Sequence, residues 1–180
     1  MCEDRDMRRF VFGLLAACGG GGGGDTPVDA PVSIDSPPNN PACLISSNYG
    51  DLGTKTGTTT LGPSTATIVL DPGPPRDSFF MKLTTGKGVF AAGLATGTFT
   101  IAGAELAQST CGLCVNILAD ISTGGPSKFF FATGGTVTLT SHTPPIGTLS
   151  NVALHEVAVD GTPISGGCTT SISAMAFSAQ

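Results

Sequence analysis

Short runs in which apolar and polar residues alternate cover the chain from about residue 43 onward. In the clearest run, Leu113, Val115 and Ile117 fall on one face of an extended strand and the intervening residues fall on the other. Glycine, proline, asparagine and aspartate, which are typical turn residues, separate the runs. The pattern predicts strands at residues 65–70, 78–84, 98–102, 113–122, 128–133, 136–141, 149–159 and 169–178.

Three local features refine this prediction. Gly134-Gly135 is a two-residue hairpin signal between the strands at 128–133 and 136–141. Around His155 and Glu156 the phase of the apolar residues slips, which predicts a β-bulge. Residues 102–108 could form one helical turn, and no stretch has the sustained 3.6-residue period of a longer helix.

Strands in this number, separated by turns, predict an all-β fold. We expect an antiparallel β-sandwich, jelly-roll-like or Greek key, or a barrel, with about eight strands. The chain has 180 residues and is 40% hydrophobic, which is enough for one core. The β-domain is therefore predicted to be single and to span residues 43–180.

The first residues have the order of a secretory signal. Two arginines after Met7 form a positive region, residues 10–17 are apolar or small, and two alanines precede Cys18. This apolar stretch is far shorter than the ~20 residues that a membrane-spanning helix needs. Acidic residues before Met7 would cancel the positive charge, so we expect translation to start at Met7. Residues 1–17 are predicted to be a signal peptide.

The end of this signal, Leu15-Ala16-Ala17-Cys18, resembles the lipobox of bacterial lipoproteins. In that family the cysteine thiol receives a diacylglyceryl group and the signal is cut before the cysteine. The resemblance implies that lipid on Cys18 attaches the protein to a membrane. It also implies a location in the bacterial cell envelope, at the outer membrane, with the domain exposed to the periplasm or the cell surface.

The segment after Cys18 has the composition of a linker. Residues 19–24 are an unbroken glycine run, and residues 25–41 are rich in proline and aspartate. Glycine runs are flexible, and proline-rich segments are extended. Neither can bury enough apolar surface to fold. Residues 18–42 are therefore predicted to be the acylated cysteine and a disordered tether.

Four cysteines follow the predicted tether boundary, and in an exported chain an even number indicates two disulfides. A nested pattern would join Cys43 to Cys168 and Cys111 to Cys114, with Gly112 permitting the tight turn. If the strand instead begins at Cys111, the sulfurs of Cys111 and Cys114 point to opposite faces and each pairs with a terminal cysteine. Zinc and redox interpretations are less favoured, because no second ligand pair and no helix start accompany the Cys-x-x-Cys.

Charge and aromatic content narrow the possible ligands. The formal net charge is −5, and the basic residues after Cys18 are few and scattered, which argues against a nucleic-acid partner. Tryptophan is absent and tyrosine occurs once, so an aromatic platform for stacking sugars is not expected. These basic residues are Lys55, Arg76, Lys82, Lys87 and Lys128.

No group of residues in the sequence forms a recognisable catalytic or metal-binding motif. His155 and Glu156 could act as a base and its orienting acid, but adjacent strand residues face opposite ways unless a bulge intervenes. The loop from Asp71 to Asp77 holds two carboxylates, but Arg76 between them opposes a cation, so Asp77 is expected to pair with Arg76 or to cap a turn. No metal or cofactor site is predicted.

Phe129-Phe130-Phe131 is expected in a buried strand, with an exposed partner-binding patch as the alternative.

Together these observations predict a lipid-anchored envelope protein without catalytic activity, serving as a binding or structural module. Its partners would be the membrane, through Cys18, and another envelope protein or a polysaccharide. The alternative is a secreted hydrolase with a site near His155 and Glu156.

Overall fold

The computed structural model describes residues 48–72 and 75–180. The predicted signal peptide and tether, with Cys18 and Cys43, lie outside the described residues. Two 3₁₀ turns, Gly88–Phe90 and Gly103–Leu106, precede and follow β4, and the second confirms the helical turn predicted at 102–108. The strands are β1 (Gly50–Gly57), β2 (Thr65–Asp71), β3 (Arg76–Leu83), β4 (Gly97–Thr100), β5 (Leu113–Ile121), β6 (Lys128–His142), β7 (Pro145–Val157) and β8 (Thr169–Ala179).

The strands form one sheet in the order β1-β8-β7-β6-β5-β3-β2, and β4 pairs with β6 beside this path. The pairs are antiparallel except for β1, which runs parallel to β8. The ends of the sheet meet where the backbone N–H of Thr58 donates to the carbonyl of Thr67 and the N–H of Thr67 donates back, at N···O distances of 3.0 and 2.8 Å. The all-β prediction is confirmed, and of the architectures left open the sheet adopts a nearly closed barrel.

Inward-facing side chains fill this barrel. Ile68, Phe79 and Ile117 are neighbours across β2, β3 and β5, and all three are fully buried. Phe177 reaches Phe79 from β8, with ring centroids 6.1 Å apart. The loops between β3 and β5 add Phe90 to the same core. Burial of this apolar surface is the main stabilising contribution, at about 25 cal/mol per Å².

The predicted alternation of β5 is confirmed over most of its length. Its odd-numbered residues from Leu113 to Ala119 are buried in the barrel core. The alternation ends at Asp120, whose positive φ of 53° turns the chain and leaves Ile121 partly exposed.

The hairpin predicted at Gly134-Gly135 is wrong, because both glycines lie inside the continuous strand β6. Here the register between β6 and β7 shifts opposite Asn151, which has a φ of 50°. A Cβ on Gly135 would lie 2.6 Å from Val152 Cα, so the glycine permits a close approach of two strands rather than a turn. The chain reverses instead at Thr143-Pro144, between β6 and β7.

The bulge predicted at His155 and Glu156 is also wrong. These residues pair in unbroken register with Phe131 and Phe130 of β6. The buried residues change from even-numbered to odd-numbered positions there because Val157 is buried on the opposite face of the sheet from Leu154. Val157 packs with Phe131 in a second cluster, separate from the barrel core.

Strand β1 was not predicted. Its sequence, GDLGTKTG, holds one large apolar residue, Leu52, so it lacks the alternation that identifies the other strands. It becomes a strand through its pairing with β8, which supplies the hydrogen bonds.

We predict that Gly57→Ala destabilises the barrel at its closure. A Cβ there would overlap the carbonyl oxygen of Thr67 and approach Ile68 Cγ1 to 2.6 Å. Overpacking of this kind costs about 1–3 kcal/mol of unfolding free energy, measurable by urea denaturation. Gly134→Ala is the matched control, because no atom lies within 4 Å of the position that its added methyl group would take. Equal stability of the two variants would contradict a tight closure.

Candidate functional site

A groove of about 540 Å³ lies where the two ends of the sheet meet. This volume is within the range of roughly 300–1,000 Å³ that is typical of small-molecule sites. Most of its lining side chains carry a hydroxyl group and no charge. It includes five hydroxyl side chains, those of Thr56, Thr58, Thr60, Thr67 and Ser78.

Strand alternation aims these side chains away from the core. On β2, Ala66 and Ile68 are buried inside the barrel, so Thr67 and Val69 face outward. On β3, Phe79 points inward and Ser78 faces outward with Arg76. The groove therefore lies on the outer face of the sheet.

Two groups in the groove have unused hydrogen-bonding capacity. Ser78 lines the groove and no hydrogen bond joins its hydroxyl to a described residue, but this oxygen is still open to solvent: among the described residues the fully buried side-chain oxygen without a partner is Thr170 Oγ1, outside the groove. Arg76 is exposed and forms no ion pair with any described residue. By contrast, the hydroxyls of Thr60 and Thr67 bond to each other at 2.7 Å. Of the described side chains that line the groove, that of Arg76 alone carries a charge.

A buried carboxylate lies beside the groove, on the inner face of β3. Asp77 Oδ2 accepts a hydrogen bond from the Tyr49 hydroxyl at 2.7 Å, and Oδ1 accepts one from the backbone N–H of Asp120 at 2.9 Å. Burial raises the pKa of Tyr49 well above its ordinary value, and the hydrogen bond to Asp77 and its negative charge raise this pKa further. Asp77 therefore anchors Tyr49, directly before β1, to β3 and β5.

This arrangement corrects the expectation for the loop between Asp71 and Asp77. Asp77 bonds to Tyr49 and not to Arg76. The nearest ion pair in the described chain joins Lys128 to Asp120, at 3.6 Å. Among the described residues, no group of three or more metal-binding side chains converges.

The structure does not bring His155 and Glu156 together. Phe131, the β6 partner of His155, belongs to the outer cluster, whereas Phe130, the partner of Glu156, belongs to the barrel core. The two side chains therefore leave opposite faces of β7. Glu156 Oε2 is occupied by the backbone N–H of Cys168, at 2.9 Å. No base and acid pair is assembled at this place.

The four predicted disulfide cysteines divide between described and undescribed residues. Cys111 and Cys114 are joined, with Cα atoms 5.3 Å apart, because β5 begins only at Leu113. Cys168 is also disulfide-bonded. Since Cys43 lies outside the described residues, the pairing of Cys43 with Cys168 stays a prediction.

The three consecutive phenylalanines of β6 are divided between two faces. Phe130 is buried in the barrel core. Phe131 is buried on the outer face, where the Cys111–Cys114 disulfide and Val157 pack against it. Phe129 is partly exposed at the margin of this cluster. The expectation of a buried strand is confirmed for Phe130 and Phe131.

Sequence reasoning assigned no role to Glu105, which is 1% exposed. Its Oε1 accepts from the backbone N–H of Val89 at 2.7 Å, and its Oε2 accepts from that of Leu113 at 2.6 Å. A Cβ on Gly88 would overlap this carboxylate, so glycine is required there. Glu105 thus connects the loop after β3 to the start of β5. A lone acid in an apolar stretch was its only signal in the sequence.

The groove itself was also not predicted. Its hydroxyl residues come from a threonine-rich chain in which no single threonine is distinctive, and Gln180 lines it from far along the sequence. Arg76 was noted only as part of the loop from Asp71 to Asp77. No local signal in the sequence joins these positions.

We predict that Tyr49 gives this protein an alkaline limit of stability. The pKa of Tyr49 is raised in the folded state above the value of about 10 in unfolded chains. The contribution of the protonated phenol to the unfolding free energy is therefore complete below pH 10 and is lost progressively above it. The unfolding free energy should fall by about 1.4 kcal/mol per pH unit above pH 10 from this group alone. Tyr49→Phe should lack this component of the slope.

The measurement is urea denaturation between pH 8 and pH 11 on both proteins. Tyr49 is the single tyrosine in the chain, so absorbance near 295 nm reports its ionisation without interference from another phenol. Titration of the native phenol near pH 10 would contradict the burial of the Tyr49–Asp77 pair.

We predict that Glu105→Gln lowers the unfolding free energy by about 1–3 kcal/mol. The amide retains one acceptor oxygen, so it cannot serve both N–H groups and it directs its own N–H₂ at one of them. Glu156→Gln is the matched control, because its amide oxygen can still accept from Cys168. Thermal unfolding of the two variants compares them. A larger loss for Glu156→Gln would contradict the role assigned to Glu105.

Comparisons with known proteins identify no relative of this chain. No protein-family model, no curated protein and no solved structure matches the chain. Among the described residues, no helix has the length and apolar character needed to cross a membrane.

Proposed function

We propose that this protein is a lipid-anchored component of the bacterial cell envelope, and that its barrel is a non-catalytic binding module. The outer membrane is the proposed site of attachment, with the barrel exposed to the periplasm or the cell surface. The single observation that carries the binding role is the groove, in which the exposed Arg76 forms no ion pair with a described residue and lies among uncharged hydroxyl side chains.

Two features support the anchored location. The positive region, the apolar stretch and Leu15-Ala16-Ala17-Cys18 follow one another in the order of a lipoprotein signal. The disulfide between Cys111 and Cys114 suits an exported domain, because disulfides persist in oxidising compartments and are rare in the cytosol.

The packing of the barrel supports a binding role on its outside. Bulky side chains such as Phe79, Phe130 and Met175 fill the interior, so a ligand is expected to meet the outer surface. A rigid sheet is a suitable platform for such a surface, since strands hold side chains more precisely than loops do. The hydrolase alternative receives no support from His155 and Glu156, which leave opposite faces of β7.

Lipidation of Cys18 is tested by intact mass spectrometry of the protein purified from bacterial membranes. We expect the mature chain to begin at Cys18 and to carry a diacylglyceryl group, and Cys18→Ser to leave the signal uncut. Thr26→Ser is the matched control, because Thr26 lies beyond the motif in the predicted tether and its replacement should leave processing intact. An unmodified Cys18, or an uncut signal in the unaltered chain, would overturn the anchor.

A further inference from the structure

The unoccupied hydrogen-bonding groups of the groove define the chemistry of a ligand. Arg76 offers a planar guanidinium that can hold a carboxylate through two parallel hydrogen bonds. No aspartate or glutamate is among the described residues that line the groove. In a chain with a net charge of −5, a local positive site favours an anionic ligand group.

The remaining polar groups are hydroxyls and the amide of Gln180, each able to donate and to accept. A ligand that is itself rich in hydroxyls matches this set, because sugar hydroxyls also donate and accept. Ser78 adds to the match, since its hydroxyl faces the groove and makes no hydrogen bond to a described residue.

We propose that this groove binds an acidic polysaccharide, with the carboxylate of a uronic acid unit on Arg76 and sugar hydroxyls on Ser78 and the neighbouring threonines. The inference deepens the binding role proposed above and rests on it. Val69, which is 40% exposed, provides an apolar contact for the C–H face of a sugar ring.

An extended peptide fits the same groove less well. Peptide recognition at sheet edges takes its specificity from pockets that receive alternate side chains. Here Val69 is the one large apolar side chain among the described lining residues, and it does not form a pocket. Since no aromatic ring is among those lining residues, the charge on the ligand replaces stacking as the main source of affinity.

The test is calorimetric titration of the full-length, detergent-solubilised protein with a galacturonate hexamer. Its methyl ester, which has the same sugars without the charge, and an acidic peptide of equal charge are titrated in parallel. We expect the hexamer to bind in a salt-dependent manner, and the ester and the peptide to bind at least about tenfold more weakly.

Substitutions in and near the groove test whether the hexamer binds at Arg76. Arg76→Gln should weaken hexamer binding roughly ten- to a hundredfold, and Arg76→Lys should weaken it less, because lysine keeps the charge without the planar fork. Lys82→Gln is the matched control, since Lys82 is an exposed cation on the same face of β3 but does not line the groove. Ser78→Ala should weaken binding several-fold and leave the melting temperature unchanged, because it removes no internal hydrogen bond.

Each other outcome overturns a stated part of the inference. Equal binding of the ester would exclude carboxylate recognition, and preferential binding of the peptide would replace the saccharide as occupant; in both cases the binding role would stand. Binding that Lys82→Gln weakens as much as Arg76→Gln does would place the contact outside the groove. Absence of binding to all three probes would overturn the inference and remove the groove's support for a binding role. Membrane fractionation of the same variants tests the attachment through Cys18 separately.

Discussion

The closure of the sheet is the constraint on which the rest of this structure depends. An open sheet of these strands would leave β1 and β2 as exposed edges, and such edges promote pairing with other chains. The backbone bonds between Thr58 and Thr67 bring those edges together. They form only because Gly57 has no side chain to collide with β2. Closure then turns one face of every strand toward a common interior, which apolar side chains fill.

Buried carboxylates connect the segments around the barrel to its strands. Glu105 accepts hydrogen bonds from two backbone N–H groups in different segments, and Asp77 accepts one from Tyr49 and one from the backbone of Asp120. Burying a carboxylate is costly unless hydrogen bonds satisfy it, so each of these acids requires its partners to be in place. Tyr49, directly before β1, and the loops before β5 are thereby fixed to the barrel wall.

The same closure that completes the barrel also creates the groove. Beyond the Thr58–Thr67 bridge, β1 and β2 form no continuous ladder. Outward-facing residues of β2 and β3 therefore meet the residues around the end of β1 and Gln180 across a cleft. Because the barrel interior is filled, this seam is where an exposed cation and several hydroxyl side chains of the described chain are open to a ligand. The binding role and the ligand chemistry proposed for this protein both derive from that property.

The sequence by itself determined the all-β class, the position of most strands and the inward face of β5, because a two-residue alternation is a local pattern that one buried face imposes. It did not determine β1, whose polar residues become a strand only by pairing with β8. Nor did it distinguish a turn from a strand bulge at Gly134-Gly135, since both conformations favour glycine. The opposite orientations of His155 and Glu156, and the meeting of Arg76 and Ser78 with residues around Thr58, were decided by register and closure. Those depend on contacts between distant segments, and no local pattern records them.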